Sequence, residues 1–147
     1  MTVVKQMLLE KGPDVWTVTP ETSLHETLRV MADKGIGAVL VVSGEKIEGI
    51  FSERDFSREF AKDQIYSLDT PIKKMMTRLV YYVPPDLSIE ECMALMSDKK
   101  IRHLPVVDDG KLVGIISIGD VVREVISQKE VAIRSLENYI MGRGYQG

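Results

Sequence analysis

Two segments of this chain combine a glycine, a hydroxyl and a carboxylate at the same spacing. Residues 49–55 read Gly-Ile-Phe-Ser-Glu-Arg-Asp and residues 114–120 read Gly-Ile-Ile-Ser-Ile-Gly-Asp. If Asp55 and Asp120 open helices, the free N–H groups and the partial positive charge there suit a phosphate. A carboxylate at such a place can accept hydrogen bonds from the two hydroxyls of a ribose. The segments therefore predict phosphate- and ribose-binding sites, while a Ser-x-x-Asp helix cap, worth about 1 kcal/mol, also explains each of them.

Both segments belong to a longer internal repeat. When the sequence is shifted by 65 residues, residues 15–59 align with residues 80–124 without a gap, and 18 of these 45 positions are identical. The chain therefore contains two copies of one unit, called copy one and copy two below. A unit of about 60 residues is marginal as an independent fold, and solenoid arrays usually need three or more repeats. We therefore expect the two copies to pack together and share one core.

Each copy carries the same order of local signals. Short β-branched or aromatic runs at 15–18 and 80–83 stop at prolines and predict strands. Ser-x-x-Glu capping boxes at Ser23 and Ser88 predict helix starts. Two apolar runs joined by a turn then predict a buried hairpin, and a second helix begins near each aspartate. The predicted unit is strand–helix–strand–strand–helix, in an α/β (α+β) fold.

The repeat also predicts how the chain is divided. Apolar residues at helical spacing between Asp120 and Met141 predict one long or broken amphipathic helix. The predicted divisions are a first repeat at 1–67, a linker helix at 68–78, a second repeat at 79–128, and a C-terminal helix and tail at 129–147.

Composition and charge exclude several classes of protein. Lys and Arg number 19 against 22 Asp and Glu, and the net charge of −3 lacks the basic excess of a nucleic-acid-binding protein. One cysteine, Cys92, and two histidines, His25 and His103, argue against a metal site. No apolar run approaches the roughly 20 residues of a membrane span, and the first residues do not read as a signal peptide. We therefore expect a cytoplasmic protein with no metal, no nucleic acid and no membrane among its partners.

The duplicated unit, its Gly-h-h-Ser-x-x-Asp ending (h, apolar) and the strand Leu104-Pro105-Val106-Val107 resemble the cystathionine-β-synthase (CBS) domain. The resemblance covers residues 5–127 at least and is to a tandem CBS pair, or Bateman module, here standing alone. It implies two β-α-β-β-α repeats packed with pseudo-two-fold symmetry and two clefts between them. In such clefts CBS pairs often bind AMP, ADP, ATP, NAD(H) or S-adenosylmethionine. They usually regulate an attached enzyme or channel, and those that occur alone are typically dimers.

The resemblance also implies which residues bind the ligand. The aspartates match ribose-binding residues, the serines match a hydroxyl that contacts ribose or phosphate, and Arg54 and Gly119 hold the helix-entry position that faces phosphate. By family geometry, Thr77, Tyr81 and 101–103 border the cleft of Asp55, and Trp16 and 36–38 border the cleft of Asp120. The predicted ligand-binding residues are Ile36, Ser52, Arg54, Asp55, Thr77, Tyr81, Arg102, His103, Pro105, Ser117, Gly119 and Asp120.

The two clefts are predicted to differ. Copy one has Arg54 where copy two has Gly119, and Arg102-His103 of copy two borders the Asp55 cleft. That cleft should therefore bind the more anionic ligand. His103 is either a neighbour of phosphate or a histidine satisfied by the backbone. Trp16 and Tyr81 either stack on an adenine or pack in the strand core.

The resulting hypothesis is a regulatory or sensor module that binds AMP, ADP, ATP or NAD(H) and modulates an unidentified partner protein, as a homodimer. No catalytic cofactor is expected. An enzyme is disfavoured because the sequence has no Walker-type loop, no zinc spacing and no Ser/His/Asp set beyond chance. The alternative is a dimerisation or interaction scaffold that works without a ligand.

Overall fold

The structure, a computed structural model, describes residues 2–12, 14–62 and 67–128 and shows a mixed α/β fold. The predicted C-terminal helix and tail at 129–147 lie outside the described residues. The helices are α1 (Val4–Lys11), α2 (Leu24–Lys34), α3 (Glu53–Ala61), α4 (Ile89–Lys99) and α5 (Ile118–Gln128). The strands are β1 (Thr17–Val18), β2 (Ala38–Ser43), β3 (Lys46–Ser52), β4 (His103–Asp108) and β5 (Lys111–Ser117).

The first helix of each copy begins where its cap was predicted. The Ser23 hydroxyl accepts a hydrogen bond from the N–H of Glu26 at 3.1 Å, and Ser88 does the same for Glu91 at 3.1 Å. Only Ser88 completes the capping box, because the Glu91 carboxylate accepts from the Ser88 N–H at 3.4 Å. Such caps satisfy backbone donors that have no partner within the helix.

Each copy then forms the predicted antiparallel hairpin. In copy one β2 pairs with β3, with Ala38 opposite Ser52, and in copy two β4 pairs with β5, with His103 opposite Ser117. Both hairpins have an irregularity at the same place in the repeat. Because α3 and α5 follow β3 and β5 directly, the hairpins place both Ser-x-x-Asp segments at a strand–helix junction.

The first strand of copy two is largely absent, contrary to the prediction for 80–83. In copy one β1 pairs with β2 in parallel, but in copy two only Val83 makes a parallel bridge, to Val106. Pro105 stands where copy one has Leu40. A proline has no backbone N–H to contribute to a strand ladder, which accounts for the shorter pairing.

The predicted linker helix is a single 3₁₀ turn, Ile72–Lys74, preceded by Pro71 in an extended conformation. Its Ile72 N–H donates to the Thr22 carbonyl at 2.8 Å, so the linker is attached to copy one. Ile72 is fully buried. The linker is therefore an integral part of the packing of copy one.

The core consists of two hydrophobic clusters, where one shared core was expected. The cluster of copy two includes Val4 and Met7 of α1, which precedes copy one in the chain. The cluster of copy one includes Ile72 and Met75, which precede copy two. Each copy is thus completed by the segment that leads into the other, so the two halves are interlocked.

Two strand glycines allow these segments to cross the hairpins. A Cβ at Gly49 would lie 2.6 Å from Met76 Sδ and 2.8 Å from the Thr77 carbonyl oxygen. At Gly114 the equivalent clash is with the Leu8 side chain of α1, at 2.6 Å. The glycine of each predicted segment thus makes room for the segment that crosses its hairpin.

Candidate functional site

The serine and aspartate of copy one form a reciprocal cap at the start of α3. The Ser52 hydroxyl accepts from the Asp55 N–H at 3.2 Å, and Asp55 Oδ2 accepts from the Ser52 N–H at 2.9 Å and from its hydroxyl at 3.1 Å. The first N–H of α3, on Glu53, donates to the Gly37 carbonyl at 3.0 Å. Ser52 and Asp55 therefore cap α3, and this cap holds the Asp55 carboxylate at the helix N-terminus.

The other oxygen of Asp55 is bound by two further donors. Thr77 donates its hydroxyl to Oδ1 at 2.9 Å, and the Arg58 guanidinium donates to the same oxygen. A carboxylate has about four lone-pair positions, so all of them are engaged, and Asp55 is only 4% exposed. Arg58 is the most exposed of these partners, with 43% of its side chain accessible.

A cavity of about 340 Å³ opens beside Asp55, between the two copies. Eight residues predicted for this cleft line it. They are Ser52, Arg54, Asp55, Thr77, Tyr81, Ile101, Arg102 and His103. The structure therefore brings together residues from α3, from the linker and from the approach to β4.

The wall of this cavity is positively charged. Arg54, Arg58, Lys100 and Arg102 all line it, against the carboxylates of Glu53 and Asp55. The Arg54 guanidinium donates to the Lys100 carbonyl at 3.1 Å, which links copy one to copy two across the cleft. Arg54 and Lys100 make no salt bridge among the described residues, so their charges remain available to an anion.

His103 lies at the boundary between the two halves. A Cβ on Gly37 would lie 3.9 Å from His103 Cε1 and 3.6 Å from a Glu53 carboxylate oxygen, so Gly37 belongs to the Asp55 cavity. Burial lowers the pKa of His103, and the charge of Lys11 lowers it further. Asp120 and Glu53 oppose this shift of the pKa. The imidazole is therefore favoured in its neutral form.

Copy two repeats the cap at the start of α5. The Ser117 hydroxyl accepts from the Asp120 N–H at 3.2 Å, and Asp120 Oδ2 accepts from the Ser117 N–H at 2.8 Å. Arg123 donates to Oδ1, as Arg58 does in copy one. The first N–H of α5 donates to the Arg102 carbonyl at 2.8 Å.

Asp120 differs from Asp55 in one partner, the ammonium of Lys11 in α1. Lys11 Nζ lies 2.6 Å from Asp120 Oδ2 and 2.8 Å from the Ile115 carbonyl oxygen. Burial would raise the pKa of Asp120, but the hydrogen bonds from Lys11 and Ser117, together with the Lys11 charge, hold it below the ordinary value. This ion pair was not predicted.

Other predicted residues lie elsewhere. Ile36, predicted for the Asp120 cleft, packs against the hydrophobic cluster of copy one, and Pro105 is buried in β4 and does not line the Asp55 cavity. Gly119 is half-buried, and a Cβ there would contact Arg123 and Ser117 at ordinary distances.

The two aromatic rings at equivalent repeat positions each have a lysine nearby. Lys34 Nζ lies 4.1 Å from the centre of the Trp16 ring, and Lys99 Nζ lies 5.5 Å from that of Tyr81. Trp16 is 40% exposed, so it does not pack in the strand core. Tyr81 lines the Asp55 cavity and also packs against the hydrophobic cluster of copy two.

Four basic residues of these sites were not predicted from the sequence, namely Lys11, Arg58, Lys100 and Arg123. Arg58 and Arg123 are identical residues at the 65-residue offset, so the repeated motif extends to Ser-x-x-Asp-x-x-Arg. That signal was available in the alignment of the copies. Lys11 carries no such signal, because it lies outside the aligned residues and reaches Asp120 across 109 positions of the sequence.

Two further observations concern the described part of the chain. Among residues 2–12, 14–62 and 67–128, no group of three or more His, Cys, Asp and Glu is placed to hold a metal ion. Within the same ranges no helix combines the length and apolar character needed to cross a bilayer.

The family model of the CBS domain matches this chain twice, at residues 8–62 and 72–127. The chain therefore belongs to the CBS-domain family, and its two copies form a CBS pair. A similar relative is the CBS domain-containing protein CBSX3, mitochondrial, of Arabidopsis thaliana, which is 32% identical over 98% of this chain and 74% of its own length.

Solved structures of CBS domains share the fold. The CBS domain NE2398 superimposes with a TM-score of 0.82 at 45% identity, over 86% of this chain and 99% of that one. The CBS pair of protein MJ0100, in complex with 5′-methylthioadenosine and S-adenosyl-L-methionine, gives 0.77 at 25% identity, over 87% and 98%. CBSX2 in complex with AMP gives 0.72 at 28% identity, over 88% and 99%.

Proposed function

We propose that this CBS pair is a regulatory module that binds an adenosine-containing nucleotide, AMP, ADP, ATP or NAD(H), in the Asp55 cavity. One observation carries the proposal. A buried carboxylate at a helix N-terminus, Asp55, lies beside a cavity of about 340 Å³ that is lined with cationic side chains. The carboxylate suits a ribose, and the cations suit phosphate. Two similar CBS pairs have been solved with adenosine-containing ligands.

Binding requires an exchange of hydrogen-bond partners at Asp55. Its four acceptor positions are occupied, so a ribose hydroxyl must replace one donor. Arg58 is the partner that leaves, because its side chain, 43% exposed, is the most exposed of the donors to Asp55. The freed guanidinium lines the same cavity and adds a cation for the phosphate.

Regulation follows from the position of the cavity between the two copies. Arg54 of copy one and Lys100 of copy two meet across it, and Thr77 joins it to the linker. A ligand that prefers one arrangement of these elements shifts the population towards that arrangement. The proposal includes a homodimer and a partner protein that responds to it. Exposed apolar side chains on α3 and α5, among them Phe60 at 66% and Val122 at 46%, are available to a second copy.

The experiment is a thermal-shift panel of AMP, ATP, NAD, NADH and S-adenosylmethionine at millimolar concentration, with GMP to test the base. A ligand at 100 times its Kd stabilises the native state by about 2.7 kcal/mol. We expect a higher Tm with at least one adenosine ligand and no rise for Asp55→Asn. The matched control is Asp33→Asn, at an exposed position on α2, which should respond like the parent chain. The absence of any shift with the parent chain would contradict the proposal.

A second candidate is a dimerisation scaffold that works without a ligand. The observation that favours it is that protein donors occupy all the acceptor positions of Asp55. The Ser-x-x-Asp motif therefore has a structural role as a helix cap even without a ligand. On that account the panel gives no shift, and light scattering shows the same dimer for the parent chain and for Asp55→Asn.

A further inference from the structure

Lys11 contacts in copy two the counterparts of the two groups that Thr77 contacts in copy one, a strand carbonyl and the aspartate of the cap. Thr77 donates its N–H to the Ile50 carbonyl at 2.8 Å and its hydroxyl to Asp55 at 2.9 Å. Lys11 Nζ donates to the Ile115 carbonyl at 2.8 Å and to Asp120 at 2.6 Å. Ile50 and Ile115 are equivalent at the 65-residue offset. One ammonium thus contacts both groups, but it binds Asp120 through Oδ2, whereas the Thr77 hydroxyl binds Asp55 through Oδ1.

This difference changes what the carboxylate can bind. A hydroxyl is neutral and can rotate to accept a hydrogen bond, whereas an ammonium is charged and only donates. The Ser117 N–H and Arg123 engage Asp120 as the Ser52 N–H and Arg58 engage Asp55, so Lys11 is the charged partner that distinguishes Asp120. A ribose hydroxyl that approaches Asp120 must therefore compete with a second positive charge.

The ammonium is also held close to Asp120 by its helix. The N–H of Val4 donates to the Leu87 carbonyl at 2.9 Å, and the N–H of Lys5 donates to the Pro85 carbonyl at 2.8 Å. Val4 and Met7 are buried in the core of copy two. Because α1 is anchored in this way, Lys11 stays within reach of Asp120.

We propose that Lys11 closes the Asp120 cleft to ribose-containing ligands, so that each chain binds one nucleotide, in the Asp55 cavity. Lys11 acts here as a specificity-determining residue. The inference rests on the proposed function, since it concerns the second cleft of the same pair.

The test is calorimetric titration of AMP into the parent chain and into Lys11→Met and Lys11→Ala. Lys11 is 34% exposed, so both variants should fold, and circular dichroism checks this. We expect one site per chain in the parent and two in each variant. Adding Asp120→Asn to Lys11→Met should restore one site. Lys5→Met, on the exposed side of the same helix, is the matched control and should keep one site.

The outcomes separate this inference from the proposed function. Two sites in the parent chain, or a single site in both Lys11 variants, would overturn the role of Lys11 while AMP binding stands. A single site that survives Asp55→Asn would contradict both the proposed function and the assignment of the open cleft. Absence of binding in the parent and in every variant would likewise contradict both.

Discussion

The hydroxyl of Thr77 donates a hydrogen bond to Asp55 across 22 positions of the sequence, at 2.9 Å. Thr77 lies near the end of the linker at 68–78, whereas Asp55 lies in the first turn of α3. The backbone of Thr77 also pairs with Ile50 of β3 in both directions, at 2.8 and 2.9 Å. The carboxylate proposed to bind ribose therefore contacts the linker that connects the two CBS repeats. We expect a ligand in the cavity to alter the contacts of that linker.

Thr77→Val should lower the stability of the protein. The substitution keeps the shape of the side chain but removes a donor from a buried carboxylate, which costs about 1–3 kcal/mol. Urea denaturation measures the loss in free energy of unfolding. The control is Thr17→Val on the exposed side of β1, where a change within about 0.5 kcal/mol is expected. Equal effects of the two substitutions would show that the Thr77 hydroxyl contributes nothing.

Alanine at the two strand glycines should have unequal effects. At Gly49 the new Cβ meets the Thr77 backbone carbonyl at 2.8 Å, and backbone cannot move aside cheaply. At Gly114 it meets only the Leu8 side chain, whose χ angles can adjust. We expect Gly49→Ala to destabilise by about 1–3 kcal/mol and Gly114→Ala by less, as measured by chemical denaturation. The reverse order would contradict the crossing geometry.

His103 should make the protein less stable in mild acid. Burial and the charge of Lys11 lower its folded pKa below the ordinary value of 6.5, so the native state binds fewer protons than the unfolded state. By linkage, the lowered pKa of His103 therefore contributes to the free energy of unfolding. This contribution is fully present above the pKa of the unfolded state. It is lost as the pH falls from that pKa towards the lower pKa of the folded state.

Denaturation curves between about pH 7.5 and 5 measure this dependence, and an NMR titration of the imidazole gives the pKa directly. His103→Gln should flatten the stability profile, with His25→Gln at an exposed position as the control for loss of a histidine. An imidazole pKa above 6.5 in the folded protein would contradict the assigned surroundings of His103.

Cys92 should be unreactive in the native protein. It is fully buried in α4, and burial, together with Glu91 and Glu90, raises the pKa of its thiol to about 11. Only the thiolate reacts readily with disulfide reagents. A chromogenic disulfide reagent at pH 8 should label one thiol per chain in denaturant and none in its absence, on the timescale of minutes. Rapid labelling of the native chain would show that α4 opens.

The internal repeat predicts much of this fold because both copies carry the same short-range signals for helix caps and turns. Caps at Ser23 and Ser88, the turns of the hairpins and the caps at Ser52 and Ser117 are short-range features that the spacing of residues reveals. The resemblance to CBS domains predicts eight of the residues that line the Asp55 cavity.

The remaining features depend on contacts between distant parts of the chain. The strand predicted at 80–83 is reduced to one bridge, between Val83 and Val106, because its partner strand β4 contains Pro105, and local propensity does not reveal such pairing between distant segments. The two separate hydrophobic clusters arise because Met7 and Ile72 pack on the copy that does not follow them. The Lys11–Asp120 ion pair joins residues that lie 109 positions apart in the sequence, which no local pattern connects.

The most direct test of the central claim is calorimetric titration of AMP and of adenosine into the parent chain, Asp55→Asn and Arg54→Ala. The account predicts saturable AMP binding that Asp55→Asn abolishes. Because a charged hydrogen bond contributes about 1.5–3 kcal/mol, Arg54→Ala should weaken AMP about tenfold or more and leave adenosine unchanged. Arg29→Ala, exposed on α2, is the control. AMP binding of equal affinity in all four proteins, or none in the parent chain, would contradict the assignment of the Asp55 cavity as the nucleotide site.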